Sequence, residues 1–132
     1  MDEIHIPIRI DTDIVAARQG GRTLATKLGF SNTDATLIAT AISELARNMI
    51  RYAKEGEIIL STLQKSGSCA IVVVARDKGP GISNVEQAMI MGFSTSGSLG
   101  MGLPGVNRLM DEFEIDSRPG SGTRVMIKKW KR

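Results

Sequence analysis

Read with a helical period from Leu37 to Ala53, the sequence stacks Glu44 and Asn48 one turn apart on the same arc. A carboxylate and an amide oxygen so placed can act together on a hydrated Mg²⁺ and on an attacking group. Mg²⁺ takes hard oxygen ligands and keeps several of its waters. Arg47 and Arg51 flank the pair, so the same residues equally describe a solvated face with an i,i+3 Glu–Arg pair. Ile38, Ile42, Leu45, Ala46, Met49 and Ala53 take the opposite arc and form its core face.

Three other stretches carry chemistry-bearing residues. In Asp77-Lys78-Gly79-Pro80-Gly81 an Asp leaves an apolar strand and enters a glycine turn. It is either a tight turn or a carboxylate that accepts from an exocyclic amine while the glycines admit a flat base. GFSTSGSLGMGLPG, residues 92–105, holds five glycines in fourteen residues. Gly97, Gly100 and Gly102 precede a helix beginning near Leu103, an arrangement whose backbone N–H groups suit an anion or simply give flexibility. Neither a phosphate-binding Gly-Lys-Ser/Thr nor a strand-fed dinucleotide fingerprint is present. Gly120-Ser121-Gly122-Thr123 alone reads as a hairpin turn.

The elements that must position these residues follow from period and punctuation. Ile4, Ile6, Ile8 and Ile10 alternate with polar residues and Pro7, which predicts an edge strand. A helix capped by Asp11 or Thr12 carries Ile14, Ala17, Gly21, Leu24 and Leu28 and ends near Gly29. Its Gly20-Gly21 pair marks close packing or a partner surface. A longer helix opens at Ser31 or Asn32 and runs to about Ala53. Strands are expected at 57–63 and 68–76, the second apolar on both faces and hence central. A short helix is expected at 84–91 and another at 103–112, with Pro104 tolerated in its first turn. Strands 113–117 and 123–129 close the chain. Helices and strands are grouped rather than alternating, which predicts one α+β domain over residues 1–132. The expected architecture is a two-layer sandwich with helices on one face of a mixed β-sheet.

Composition narrows the function classes. With 42% hydrophobic residues the 132-residue chain can bury a core. Its apolar runs are too short to cross a bilayer, and MDEIHIPIRI does not read as a signal peptide. Single Cys69 and single His5 argue against a disulfide framework and a zinc site. A cytoplasmic protein with no membrane partner is expected. The net charge of +3 comes largely from Lys128-Lys129-Trp130-Lys131-Arg132, read as a solvated edge strand and terminus. Aromatics are 4% and no nucleic-acid-binding motif appears, so no nucleic-acid partner is expected.

The order of the motifs is more specific than any one of them. Glu-x-x-x-Asn on a helix, then Asp-x-Gly-x-Gly, then Gly-x-Gly before a helix, then Gly-Thr entering a strand, resembles the GHKL ATP-binding superfamily with its Bergerat fold. Within it, DIVAARQ, TAISELARN, GFSTSG, GLPGV and RLMDEF make the chain similar to the RsbT-type serine/threonine switch kinases of the stressosome. These small kinases control bacterial sigma factors by partner switching. The resemblance implies transfer of the ATP γ-phosphate to a STAS-domain antagonist or scaffold. It also implies activation of a downstream phosphatase by binding after release. The alternatives are a direct sigma-factor-binding anti-sigma kinase and a nucleotide-regulated binding module. Oligomeric state stays open.

By the same resemblance Glu44 takes the general-base position and Asn48 that of the Mg²⁺ ligand. Asp77 would meet the adenine amino group, with Gly79 and Gly81 shaping its pocket. Gly97, Gly100 and Gly102 would form the lid over the phosphates, and Thr123 would assist at the adenine end. The chain departs from related anti-sigma-factor kinases in two places. Its lid has no Arg or Lys, the corresponding place being about Ser98, and Tyr52 stands where a histidine is common. Arg47, Arg51, Arg108 or a partner is then left to supply the cation facing the γ-phosphate.

Overall fold

The structure is a computed structural model, and it describes residues 3–79 and 102–132. The helix expected at 84–91, and Gly81, Gly97 and Gly100, lie outside the described residues. Strand β1 (Ile4–Ile8) pairs with one neighbour only, β2 (Gly56–Lys65), with Pro7 opposite Glu57. Proline lacks the N–H that a second ladder would need, so the edge position follows. Ile8 is fully buried, whereas Ile10 lies beyond the strand and is 61% exposed.

Ile10, rather than Asp11 or Thr12, is the N-cap of α1 (Asp11–Lys27). The strand runs straight into the helix. The acceptor that satisfies the free N–H groups reaches back from Asp13, whose Oδ2 accepts from Arg9 N at 2.8 Å and Ile10 N at 3.1 Å. Helix α1 packs on α2 (Asn32–Ala53) through Ala17, Gly21 and Ala25. A Cβ on Gly21 would overlap Ile42 Cδ1, so Gly21 is a close-packing residue. Arg22 ties the two helices by donating to Asn32 Oδ1 and Thr36 Oγ1, both at 2.8 Å. Helix α2 is capped by Ser31, whose Oγ accepts from Asp34 N at 3.0 Å.

The sheet has the order β1-β2-β3-β5-β4, with β3 at Ser68–Asp77, β4 at Glu112–Arg118 and β5 at Gly122–Trp130. All its described ladders are antiparallel, which corrects the expected mixed sheet. The reason is topological. After β3 the chain returns through α3 (Gly102–Leu109) to β4, which runs in the same direction as β3. The hairpin strand β5 then inserts between them, antiparallel to both. β3 is central as expected. Ile71, Val73 and Ala75 face the helices and are buried, while Val72 and Val74 on the other face are only partly covered. The core lies between Ile38, Ile42, Leu45 and Met49 of α2 and Ile58, Leu60, Val73, Val125 and Ile127 of the sheet.

The basic C-terminal stretch is not the solvated edge strand that its charge suggests. β5 is an interior strand, and Lys129 is 7% exposed with Nζ donating to Leu109 O at 3.1 Å. Trp130 N donates to Asp111 Oδ2 at 2.7 Å, Trp130 Nε1 donates to Glu112 Oε2 at 3.0 Å, and Arg132 pairs with Asp111. These partners stop α3 at Leu109, short of the expected boundary, because Asp111 N already donates to Lys128 O at 3.0 Å. Among the described residues no helix is long and apolar enough to cross a membrane.

Candidate functional site

Helix α2 presents Glu44 on the arc away from the core stripe, yet Glu44 is only 7% exposed. Helix α3 covers it, since α2 and α3 pack together and Gly102, the first residue of α3, brings its N–H to 3.5 Å from Glu44 Oε2. Gly102 has φ +68°, a conformation that favours glycine and turns the chain into the helix at this point. Glu44 Oε1 accepts from Arg47 Nη1 at 2.5 Å. The i,i+3 pair read from the sequence therefore forms, but around a buried carboxylate rather than on a solvated face. Two positive partners, a guanidinium and a helix N-terminus, meet this carboxylate. Asn48 is half-buried one turn further along α2. Its amide and the Glu44 carboxylate form a hard-oxygen pair on one side of the helix.

The second half of the site lies at the end of the sheet. Asp77 is the last residue of β3, in register with Gly56 on one side and Thr123 on the other. Its Oδ1 accepts from Gly79 N at 2.9 Å, so the tight turn is also present. Among the described residues no donor meets Oδ2. A Cβ on Gly79 would come within 2.5 Å of Ala53 Cβ, so the turn presses on the last residue of α2. That contact brings the Asp77 end of the sheet against the helix carrying Glu44 and Asn48. Gly122 has φ +88°, and a Cβ there would overlap Asp77 O, which explains the glycine immediately before Thr123. A groove of about 910 Å³ opens here, lined by Ala53, Gly56, Asp77 and Thr123 and continuing to Arg76 and Arg124. Glu44 and Asn48 do not line it.

The structure thus places Glu44 and Gly102 at the α2–α3 contact, Asn48 one turn further along α2, and Asp77, Gly79 and Thr123 at the end of the sheet. Reading the sequence missed Ser117. Its Oγ lies 2.7 Å from Thr123 Oγ1 and 3.2 Å from Gly122 O. Counting back across the tight turn from Thr123 would have found it, because Ser117 is the Cα partner of Thr123 in the β4–β5 hairpin.

Comparison with known proteins gives this arrangement a family. Residues 33–132 match the histidine kinase-, DNA gyrase B- and HSP90-like ATPase family. The chain is 49% identical over 131 residues to the serine/threonine-protein kinase RsbT of Bacillus subtilis, covering 99% of this chain and 98% of that protein. It is 37% identical over 98 residues to an anti-sigma F factor of a Thermoanaerobacter species, covering 70% of this chain and 68% of that one. A structure of the RsbU and RsbW domains of a Mycobacterium tuberculosis protein superposes with TM-score 0.67 at 18% identity, over all of this chain and 33% of that one. The chain belongs to the histidine kinase-, gyrase B- and HSP90-like (GHKL) ATPase family, within its group of RsbT-type serine/threonine kinases.

Proposed function

We propose that this chain, as one domain over residues 1–132, is a cytoplasmic ATP-dependent serine/threonine protein kinase. Its substrates are STAS-domain antagonist and scaffold proteins of a bacterial partner-switching pathway. After release from them it activates a downstream phosphatase by binding. The observation that carries the reading is Glu44, a carboxylate buried between Arg47 and the N-terminus of α3. A structural ion pair would be cheaper to build on the surface, whereas a general base must stand where water is excluded.

In this reading the hydroxyl oxygen of a partner Ser or Thr attacks the γ-phosphorus, the bond to the β,γ-bridging oxygen breaks, and ADP leaves. Glu44 takes the hydroxyl proton, and Arg47 holds the carboxylate in place. Asn48 supplies an amide oxygen to Mg²⁺, which neutralises phosphate charge when bound. One amide beside one carboxylate fits an ion that draws its other ligands from phosphates and water. Asp77 accepts from the adenine amino group, with Gly79, Gly81 and Thr123 shaping that end. Gly97, Gly100 and Gly102 would form the lid over the phosphates in this reading.

The test is label transfer from γ-labelled ATP with Mg²⁺ to a cognate STAS-domain protein. Transfer that depends on the partner and disappears in Glu44→Ala, while nucleotide still binds, is the expected result. Undiminished transfer by that variant would remove Glu44 from the base position.

A further inference from the structure

Transfer of a γ-phosphate needs a cation at the phosphate as well as a base at the hydroxyl, because charge spreads over the phosphate oxygens as the bridging bond breaks. The stretch 80–101, between β3 and α3, contains no Arg, Lys or His. The two helices that enclose Glu44 carry Arg47 and Arg51 on α2 and Arg108 on α3. Reach separates these cations. A reacting hydroxyl sits within hydrogen-bond reach of its base and about 3 Å from the phosphorus, which puts the γ-phosphorus within about 6 Å of the Glu44 carboxylate. Helical side chains lean over the preceding turn. The turn before Arg47 holds Glu44, and Arg47 Nη1 donates to Glu44 Oε1. The turn before Arg51 holds Arg47 and Asn48 instead. Arg108 stands at the far end of α3, about 9 Å along the axis from the Gly102 N–H that meets Glu44.

Arg47 also has donors to spare. Its guanidinium carries five N–H groups in a rigid fork. Among the described residues only Glu44 takes one of them, and the side chain is 40% exposed. A buried carboxylate by itself repels an incoming phosphate. A guanidinium on that carboxylate offsets its charge and offers its remaining donors to phosphate oxygens. We infer that Arg47 is a catalytic residue that bridges the Glu44 carboxylate and the γ-phosphate of ATP, so that one guanidinium holds both the base and the group transferred. The inference rests on the proposed reading that Glu44 is the base. In the step, the partner's hydroxyl oxygen bonds to the γ-phosphorus. The bond to the β,γ-bridging oxygen breaks, its electron pair leaves on ADP, and the hydroxyl proton passes to Glu44. Arg47 keeps its own protons and meets the charge on the transferred group.

The experiment measures dissociation constants of ATP and ADP with Mg²⁺, two ligands that differ by the γ-phosphate. Arg47→Gln should raise the ratio of the ATP constant to the ADP constant by roughly 10- to 100-fold, the size of one hydrogen bond to a charged group, with ADP binding unchanged. A residue that only steadies Glu44 would act through it. The decisive comparison is therefore in a Glu44→Ala background, where Arg47→Gln should raise the ratio by a similar factor. That background also removes the carboxylate that Arg47→Gln would strand, so the comparison stands even if the single variant does not fold. An unchanged ratio in the Glu44→Ala background overturns the role of Arg47 and leaves the nucleotide site and its base intact. A rise produced by Arg51→Gln or Arg108→Gln in place of Arg47→Gln does the same. Failure of wild type to bind either nucleotide overturns the proposed reading as well.

Discussion

The two ends of α3 are held in opposite ways. At its C-terminal end the helix meets a dense set of partners. Lys129 donates to Leu109 O, Asp111 N donates to Lys128 O, Trp130 N donates to Asp111, and Arg132 pairs with Asp111. Glu112 adds Trp130 Nε1 and Lys128. At its N-terminal end, among the described residues, one N–H lies 3.5 Å from one carboxylate. Both ends suit the helix dipole, with an anion at the start and a cation at the finish. They differ in polar redundancy. The start of α3 is held by burial instead, since Leu103, Pro104, Gly105 and Val106 are buried and Leu103 and Val106 belong to the core. The basic C-terminal stretch therefore serves the site at a distance, by holding the far end of the helix that covers Glu44.

If this contrast is right, substitutions at the two ends separate activity from stability. The largest effect is expected at the start of α3. Glu44→Gln keeps the shape of the side chain, removes the base and should lower phosphoryl transfer on the order of 10²- to 10⁴-fold. Its denaturation midpoint should stay close to wild type. Loss of fold rather than of rate in this variant would mean that Glu44 is structural. At the other end Lys129→Met should cost about 1–2 kcal/mol by leaving the Leu109 carbonyl without its donor. Denaturant unfolding measures that cost, and the rate per folded molecule should change little. Rate loss as large as in Glu44→Gln would show that both ends are catalytic and erase the contrast.

A smaller effect marks the same end in acid. Burial alone would raise the Asp111 carboxyl, but the hydrogen bond from Trp130 N and the Arg132 and Lys129 charges outweigh it and hold it below its ordinary value of 3.8. A depressed folded value stabilises the protein above the unfolded value, and that contribution is lost as pH falls through the folded one. Asp111→Asn should therefore be less stable than wild type at neutral pH, with the gap closing below about pH 4. Unfolding curves of both proteins from neutral pH down to about pH 3 test this, and a gap that stays constant would assign the stabilisation to shape rather than charge.

Much of this was legible in the residues, and the failures share a cause. Pro7 announced the edge strand, and the Val-rich run of β3 announced the sheet centre, because each depends on local chemistry. The stripe on α2 likewise located Glu44 and Asn48 opposite the core face. The sequence could not say that the opposite face is covered, since α3 arrives from 58 residues away to bury Glu44. The same holds for the mixed sheet, which was a matter of where β5 inserts. It holds also for Lys128-Lys129-Trp130-Lys131-Arg132, whose charges find Asp111 and Glu112 only across the β4–β5 pairing. Ser117 is the intermediate case, a short count across a turn from Thr123 but with no motif of its own. Tertiary pairing decided what local pattern left open.

The smallest predicted effect lies on the face of the sheet away from α3 and serves as a control for both ends. His5 sits on β1 with Nδ1 3.1 Å from Glu57 Oε2 and Nε2 3.1 Å from Glu3 Oε1. Glu57 first and Glu3 second hold its imidazolium, raising the pKa above 6.5 despite a small opposing effect of desolvation. A raised value means that the stabilisation is complete below the unfolded pKa of about 6.5 and is lost as pH climbs through the folded one. The chain has one histidine, so its ring protons give a single pair of resonances that need no assignment by mutation. Their titration midpoint should lie above 6.5, and Glu57→Gln should bring it down more than Glu3→Gln does. Because the imidazole is exposed, the change in overall stability between pH 6 and 8 should be small. Glu57 also lines the groove at the Asp77 end of the sheet, so the control is Glu3→Gln, whose phosphoryl transfer should equal wild type at each pH. Any shared change would reveal a route through the sheet.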